Sequence, residues 1–265
     1  MSKQIKDTPN QVHNEKICKL CLQSKKLCKS HIIQKSMYQY VNVEKYRSQT
    51  LTIDTQIKSF VQNGVTEDLL CKECENKFSL YEKYLAEITE SVIQQNPEVV
   101  VILSDPKIKV KIFKLDYQKF KYAILLHLWR LSIHDNKKGN LSIYQLGKYQ
   151  EILRVYLLNE TPFLENCFPI AIGELNLNGE MSPLIATFPR KKIDGISVQQ
   201  FSFGSLHFVI YMQEQYLKFN QESFLFIRED GYSFVANRDV MTDVLDEKWK
   251  QSIVSYAKNI NKENQ

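Results

Sequence analysis

The stretch Cys18–Gln34, CKLCLQSKKLCKSHIIQ, sets two cysteines three positions apart, follows them with lysines and reaches one histidine, His31. A second pair, Cys71-Lys72-Glu73-Cys74, comes after 49 intervening residues, Leu22 to Leu70. A C-x-x-C turn aims two thiolates at one ion, and two such turns close a tetrahedron with Zn–S distances of about 2.3 Å. The spacing assigns a structural Zn2+ to Cys18, Cys21, Cys71 and Cys74. The span between the pairs exceeds a minimal zinc ribbon, so it holds an insertion. A redox dithiol would need only one pair, in a thioredoxin-like setting that the sequence does not show. Cys167, in ENCFPI, reads as a small core residue. Cys28 is a fifth thiol beside a site that four residues fill.

The second pair opens directly onto ENKFSLYEKYLAEITESVIQQ, Glu75–Gln95. Phe78, Tyr81, Leu85, Ile88 and Val92 recur there at steps of three and four, the period of a helix with one buried face. A knuckle in a loop, a β-hairpin and a second knuckle at a helix N-terminus make a treble-clef arrangement. In it, zinc stabilises a segment too small to carry its own core.

The chain has 265 residues, 43% hydrophobic and 25% charged, with eight Gly and seven Pro. That length buries a sizeable core in one or two domains, and the composition excludes collagen-like or linker-dominated chains. The net charge of +5 permits a nucleic-acid partner without demanding one. It is unevenly placed: residues 1–35 carry eight lysines against two acids, Asp7 and Glu15, an excess of six. Residues 1–14 read as a flexible basic tail. No signal-peptide pattern opens the sequence. The most apolar run, Tyr122–Ile133, spans 12 residues and includes His127 and Arg130. A membrane span needs about 20, so this run reads as a buried helix. The expected setting is cytoplasmic, without membrane contact, where cysteines stay reduced and favour metal over disulfides.

Further along, EVVVIL and KIKVKIF read as strands, the second setting Ile108, Val110 and Ile112 against lysines on a wet face. Asp116 is placed to cap a helix through Ile133, and LGKYQEILRVYLL forms another. From Phe168 the texture turns to β. FPIAIGEL, MSPLIATF, GISVQQFSF, LHFVIYMQ, SFLFIRE and GYSFVA predict an antiparallel sheet of five or six strands. Asn237 would cap a C-terminal helix over 238–260. The expected fold is α+β: a zinc module over 15–97, then an α+β domain over 98–265, helical over 116–160 and β-rich over 166–236.

The first knuckle, a strand ending at His31 and a second knuckle opening a helix resemble HNH (ββα-metal) endonucleases with an accessory four-cysteine zinc site. SHIIQKSMYQY, NGVTEDLLCKECENKFSLYEKYL and FKYAILLHLWRLSIH are similar to successive blocks of a functionally uncharacterised bacterial group of HNH-like proteins, over roughly residues 16–160. The resemblance implies a nuclease acting on DNA in preference to RNA; such modules are often used in defence against phage or in mobile-element biology. In such enzymes the strand histidine activates water, while a neighbouring side chain and one from the helix hold a divalent cation. Carried onto this chain, His31 is the base, and Mg2+ or Mn2+ would rest on Glu75, Asn76 or Glu82, or on Glu67 and Asp68. The chain departs from the pattern at three places. Ser30 stands where Asp or His is usual, Gln34 where Pro is usual, and Glu75 where His or Asn is common. A hydroxyl is a poor Mg2+ ligand and a carboxylate a good one.

Each of these residues has a plainer reading. His31 could cap the knuckle through a backbone hydrogen bond, and Glu82 could close a capping box with Ser79. Lys19, Lys25, Lys26, Lys29 and Lys35 could neutralise phosphates, with Tyr38 and Tyr40 stacking on bases, or form a solvated loop. Trp129 and Arg130 read as core, with Arg130 paired to a buried acid or facing the zinc module. His207, alternating with apolar residues, reads as part of a sheet. A non-catalytic zinc module binding nucleic acid or a protein partner is the alternative to the nuclease. The β-rich half is a candidate partner surface.

Overall fold

The computed structural model describes residues 16–40, 48–51, 58–61, 65–104, 109–134, 145–174, 176–177, 180–181, 185–203 and 206–236. The expected tail over 1–14, the cap at Asn237 and the helix over 238–260 lie outside the described residues. The fold mixes helices and sheets, as expected for α+β.

Two short strands, β1 (Lys16–Ile17) and β2 (Ser24–Lys25), pair antiparallel around the first knuckle. β3 (Leu27–His31) follows. The segment between the cysteine pairs supplies β4 (Ser48–Leu51), β5 (Lys58–Val61) and β6 (Thr66–Cys71), and β6 pairs antiparallel with β3. α1 (Lys72–Ile93) starts at once, with Cys71 as its extended N-cap and Glu73 and Glu75 in its first turn. Acids there suit the partial positive charge of a helix N-terminus. The predicted stripe is present: Phe78, Leu85, Ile88 and Val92 are buried and Tyr81 is half-buried. The helix begins earlier than the predicted Glu75, so Ser79 is interior. Its Oγ donates to the Asn76 carbonyl at 2.7 Å, and the capping-box reading of Ser79 and Glu82 is corrected.

β7 (Val100–Ser104) and β8 (Lys109–Lys114) form a hairpin. At the end of β8 the inward residue is Phe113, fully buried, while Ile112 is half-exposed. The expected apolar face is therefore reversed there. Lys111 shares the Phe113 face and meets Glu174 at 2.8 Å. α2 (Tyr117–Ile133) is capped as predicted, the Asp116 carboxylate accepting from the Lys119 N–H at 3.2 Å. It is apolar on most sides and buried from Phe120 to Leu131, as a helix inside a core must be. Its buried Lys121 donates to the Tyr117 hydroxyl and the Leu164 carbonyl, both at 2.8 Å. α3 (Lys148–Asn159) packs against α2.

β9 (Ile170–Glu174) precedes a small hairpin of β10 (Asn176–Leu177) and β11 (Glu180–Met181). β12 (Ala186–Ile193), β13 (Ile196–Phe203) and β14 (Leu206–Tyr211) form a meander, and α4 (Phe219–Glu222) and β15 (Tyr232–Ala236) complete the described chain. SFLFIRE is not a strand: Ser223–Leu225 is a 3-10 turn, and Phe226 tucks against Tyr216 and Phe219. The sheet is larger than the five or six strands expected. Among the described residues, nine strands run β5-β4-β12-β13-β14-β9-β15-β8-β7. Two neighbour pairs, β12 with β4 and β15 with β9, are parallel. Strands β13 and β14 are buried along most of their length, the polar Gln199, Gln200, Ser202 and His207 included, so polar–apolar alternation does not mark their faces.

One continuous buried cluster runs from Cys18 and Leu20 through Phe78 and Trp129 to Phe208 and Val235. The cysteine-bearing segment and the sheet thus share a core, with α2 between them. Trp129 meets Phe78 edge-on at 6.4 Å on one side, and Phe120 meets Phe208 at 6.1 Å on the other. Among the described residues, no helix is long and apolar enough to cross a membrane.

Candidate metal centre and the polar cluster beside it

The first knuckle is a tight turn: Leu22 N–H donates to Cys18 O at 2.9 Å and Cys18 N–H to Gln23 O at 3.0 Å. Leu22 takes a left-handed φ of 59° to close it. The second knuckle is the end of β6 running into α1. What joins them is a bulge. Between Cys28 and Lys29 the β3–β6 register shifts, leaving Leu69 as the extra residue. Its carbonyl accepts from the Lys19 N–H at 3.0 Å and ties the first knuckle to the strand carrying the second.

The sulfur atoms of Cys18, Cys21, Cys71 and Cys74 all lie within 4.8 Å of one another, and Cys21 Sγ is 3.9 Å from Cys71 Sγ. A tetrahedron with metal–sulfur bonds of about 2.3 Å has sulfur–sulfur edges of about 3.8 Å. The four cysteines could therefore hold a metal ion such as zinc. Cys18, Cys71 and Cys74 are buried and Cys21 is partly so. Burial, and then the neighbouring thiols Cys71 and Cys18, hold the Cys74 thiol well above its ordinary range. Burial also pushes Cys71 up to about 11. Burial acts to raise Cys18 too, but backbone N–H groups of Cys21, Cys71 and Leu20 outweigh it and its shift is downward. The Cys71 N–H donates to Cys18 Sγ at 3.3 Å. A site that crowds thiols while donating to sulfur is suited to thiolates once a cation neutralises them. Cys28 is outside the quartet, and Cys167 is buried in the core.

A second cluster lies where β3, α1 and α2 meet. Ser30, fully buried, donates through Oγ to a Glu75 carboxylate oxygen and accepts from the Leu70 N–H at 3.2 Å. Arg130, 1% exposed, reaches in from α2. Its Nη1 donates to the His31 carbonyl at 3.0 Å and to the Glu82 carboxylate, and its Nη2 lies 3.7 Å from Glu75 Oε2. The guanidinium also sits over the Phe78 ring, 5.8 Å from its centre. Glu75 and Glu82 are seven residues apart, two turns along one face of α1, so a single cation can engage both. Farther along, Glu67 and His134 meet at 2.6 Å.

Of the residues expected to be catalytic, Glu75 and Glu82 converge, bound by Arg130. His31 borders them and is held through its main-chain carbonyl. Asn76 faces outward, exposed on α1. Among the described residues, the four thiols are the metal-ligating group, and no three carboxylate or imidazole groups converge as they do.

The five lysines separate into two sets. Lys29 and Lys16 share Asp68 at 2.9 and 3.0 Å, holding its carboxyl below the usual range, and Lys25 lies 3.6 Å from Glu73. Lys19, Lys26 and Lys35 are exposed, with no ion pair among the described residues. Tyr38 is buried, so its expected stacking on bases is corrected. The side chain of Tyr40 lies outside the described residues.

Sequence reasoning missed Arg154 on α3. It is held bidentate by Glu151 at 2.7 and 2.8 Å and donates to the Leu20 carbonyl inside the first knuckle. No local signal marks it, because the contact spans 134 positions. No family model, no curated protein and no solved structure matches the chain.

Proposed function

We propose that the chain is a non-catalytic, zinc-stabilised nucleic-acid-binding protein whose N-terminal segment has an HNH-like, treble-clef form. The observation that carries this reading is the engagement of Glu75 and Glu82 by Arg130, next to a four-thiol cluster that fits zinc. The two acids best placed to hold a catalytic cation are already engaged by one buried guanidinium. Zn2+ on Cys18, Cys21, Cys71 and Cys74 would fix the first knuckle against α1. The exposed Lys19, Lys26 and Lys35 then supply charge for a phosphate backbone, DNA in preference to RNA. Each phosphate contact contributes a salt-dependent increment to affinity. The test is binding of duplex DNA by zinc-loaded protein across a salt series, wild type against the Lys19→Ala/Lys26→Ala/Lys35→Ala variant. Weaker binding and a shallower salt dependence support the reading, and identical curves remove it.

The second reading is a Mg2+- or Mn2+-dependent nuclease with His31 as base. What favours it is the meeting of Ser30 and Glu75 beside His31, the positions at which the HNH pattern places its ligands and base. Plasmid and single-strand cleavage with Mg2+ or Mn2+, wild type against His31→Ala at equal zinc content, separates it from the first.

A further inference from the structure

From the geometry around Arg130 we infer that its guanidinium is the resident cation of the carboxylate pocket formed by Glu75 and Glu82. A divalent ion enters that pocket only when Arg130 is removed. The inference extends the non-catalytic reading. It does not depend on DNA binding, because cation binding is read directly.

Two independent observations carry it. The first is charge placement. Two carboxylates from one face of α1 and one guanidinium from α2 meet at a site where the carboxylates keep about a fifth of their exposure and the arginine 1%. Two acids so close would repel each other without a cation between them. A planar guanidinium fits two oxygen partners as a compact ammonium does not.

The second is what remains unpaired. Nε and Nη2 of Arg130 are buried with no hydrogen-bond partner, although Nη2 lies 3.7 Å from Glu75 Oε2. Glu75 is turned partly away by Ser30, which takes its other oxygen. The arginine is therefore held by hydrogen bonds from Nη1 alone, to Glu82 and the His31 carbonyl, and by charge toward Glu75, without a completed fork. That is how a cation sits in a pocket whose oxygens would equally suit a metal. Ser30 matters as well. An acid at this position would be a third carboxylate at the site, whereas its hydroxyl donates to Glu75 and needs no ion.

The test is Mn2+ binding to zinc-loaded protein, followed by the loss of the free Mn2+ electron paramagnetic resonance signal and by calorimetry. Wild type is compared with Arg130→Gln and Arg130→Gln/Glu82→Gln. Thermal melts confirm that each protein is folded. The expected result is no saturable Mn2+ binding by wild type and one site in Arg130→Gln, at least about tenfold tighter, as expected when a fixed positive charge leaves the pocket. The doubly changed protein should lose that site. Folded Arg130→Gln that binds no Mn2+ overturns the inference. So does saturable binding to wild type that Glu82→Gln abolishes. Should Arg130→Gln not fold, the wild-type titration against Glu82→Gln still decides. Failure of DNA binding leaves these titrations unchanged, so the two proposals fail separately.

Discussion

Arg130 Nη1 donates to the main-chain carbonyl of His31 at 3.0 Å across 99 positions of sequence. One buried side chain thus ties the strand that follows the first knuckle to the central helix. It also holds two acids of α1, so β3, α1 and α2 meet at a single charge.

Replacing Arg130 with Met should be costly. It leaves Glu75 and Glu82 facing each other in a mostly buried site, and uncompensated buried charge costs roughly 3 kcal/mol or more. Arg130→Lys should recover only part of this, because an ammonium cannot reach two carboxylates and a carbonyl in one plane. Urea denaturation of zinc-loaded proteins checks the order wild type, Lys, Met. Equal midpoints would mean that the cluster contributes little.

Metal content should follow the quartet alone. Zinc per chain measured by atomic emission is expected to be one in wild type, in Cys28→Ser and in Cys167→Ser. It should be lost in Cys18→Ser and Cys74→Ser. Chelation should lower the melting temperature of the whole protein, because Cys18, Leu20 and Leu70 belong to the same buried cluster as Phe208 and Val235. Zinc lost in Cys28→Ser would place the ligand set elsewhere.

Stability should fall in acid for a reason separate from metal loss. His127 and His207 are both fully buried, and burial lowers each to about 3, with the Arg130 charge a further cause for His127. The unfolded value is about 6.5. A depressed folded value means that the contribution is complete above pH 6.5 and is lost as pH falls toward 3, on the order of a few kcal/mol per histidine. His207 is bonded to Ser202 at 2.8 Å and Gln200 at 3.2 Å, and His127 to the Ala123 carbonyl at 2.9 Å. Long-range nitrogen–proton spectra should show both rings neutral at pH 5. A charged ring there would contradict the burial.

Much of the fold was legible where local chemistry acts alone. The α1 stripe, the Asp116 cap and the apolar α2 need only a few neighbouring residues to be recognised. The cysteine quartet was legible for a related reason, since two short turns with a fixed ligand geometry leave few alternatives. The sheet was undercounted because β4 and β5 come from within the segment between the cysteine pairs and join β12, more than 130 positions away. SFLFIRE looks like a strand by composition, yet the ring of its Phe226 is taken by the Tyr216 and Phe219 cluster. At the polar site, Glu75 and Glu82 could be picked out from α1 alone. That Arg130 would pair with an acid was also readable; that its partners are Glu75 and Glu82 was not, because that pairing exists only once α2 packs against α1.

The lysine sets give a discriminating contrast. Lys25→Ala and Lys29→Ala remove charges already paired with Glu73 and Asp68, so DNA affinity should change little. Lys19→Ala, Lys26→Ala and Lys35→Ala remove unpaired ones, and each should flatten the log–log salt slope by up to about 0.9. Fluorescence anisotropy of a labelled duplex at several salt concentrations reads both. Equal effects from the two sets would assign the binding face elsewhere.

The most direct measurement is a paired assay on one zinc-loaded preparation: anisotropy for duplex binding, and plasmid cleavage with Mg2+ and with Mn2+, on wild type and His31→Ala. Salt-dependent binding by both proteins with the plasmid left intact is the predicted result. Cleavage by wild type that His31→Ala abolishes, at unchanged zinc content, would contradict it and establish the nuclease reading.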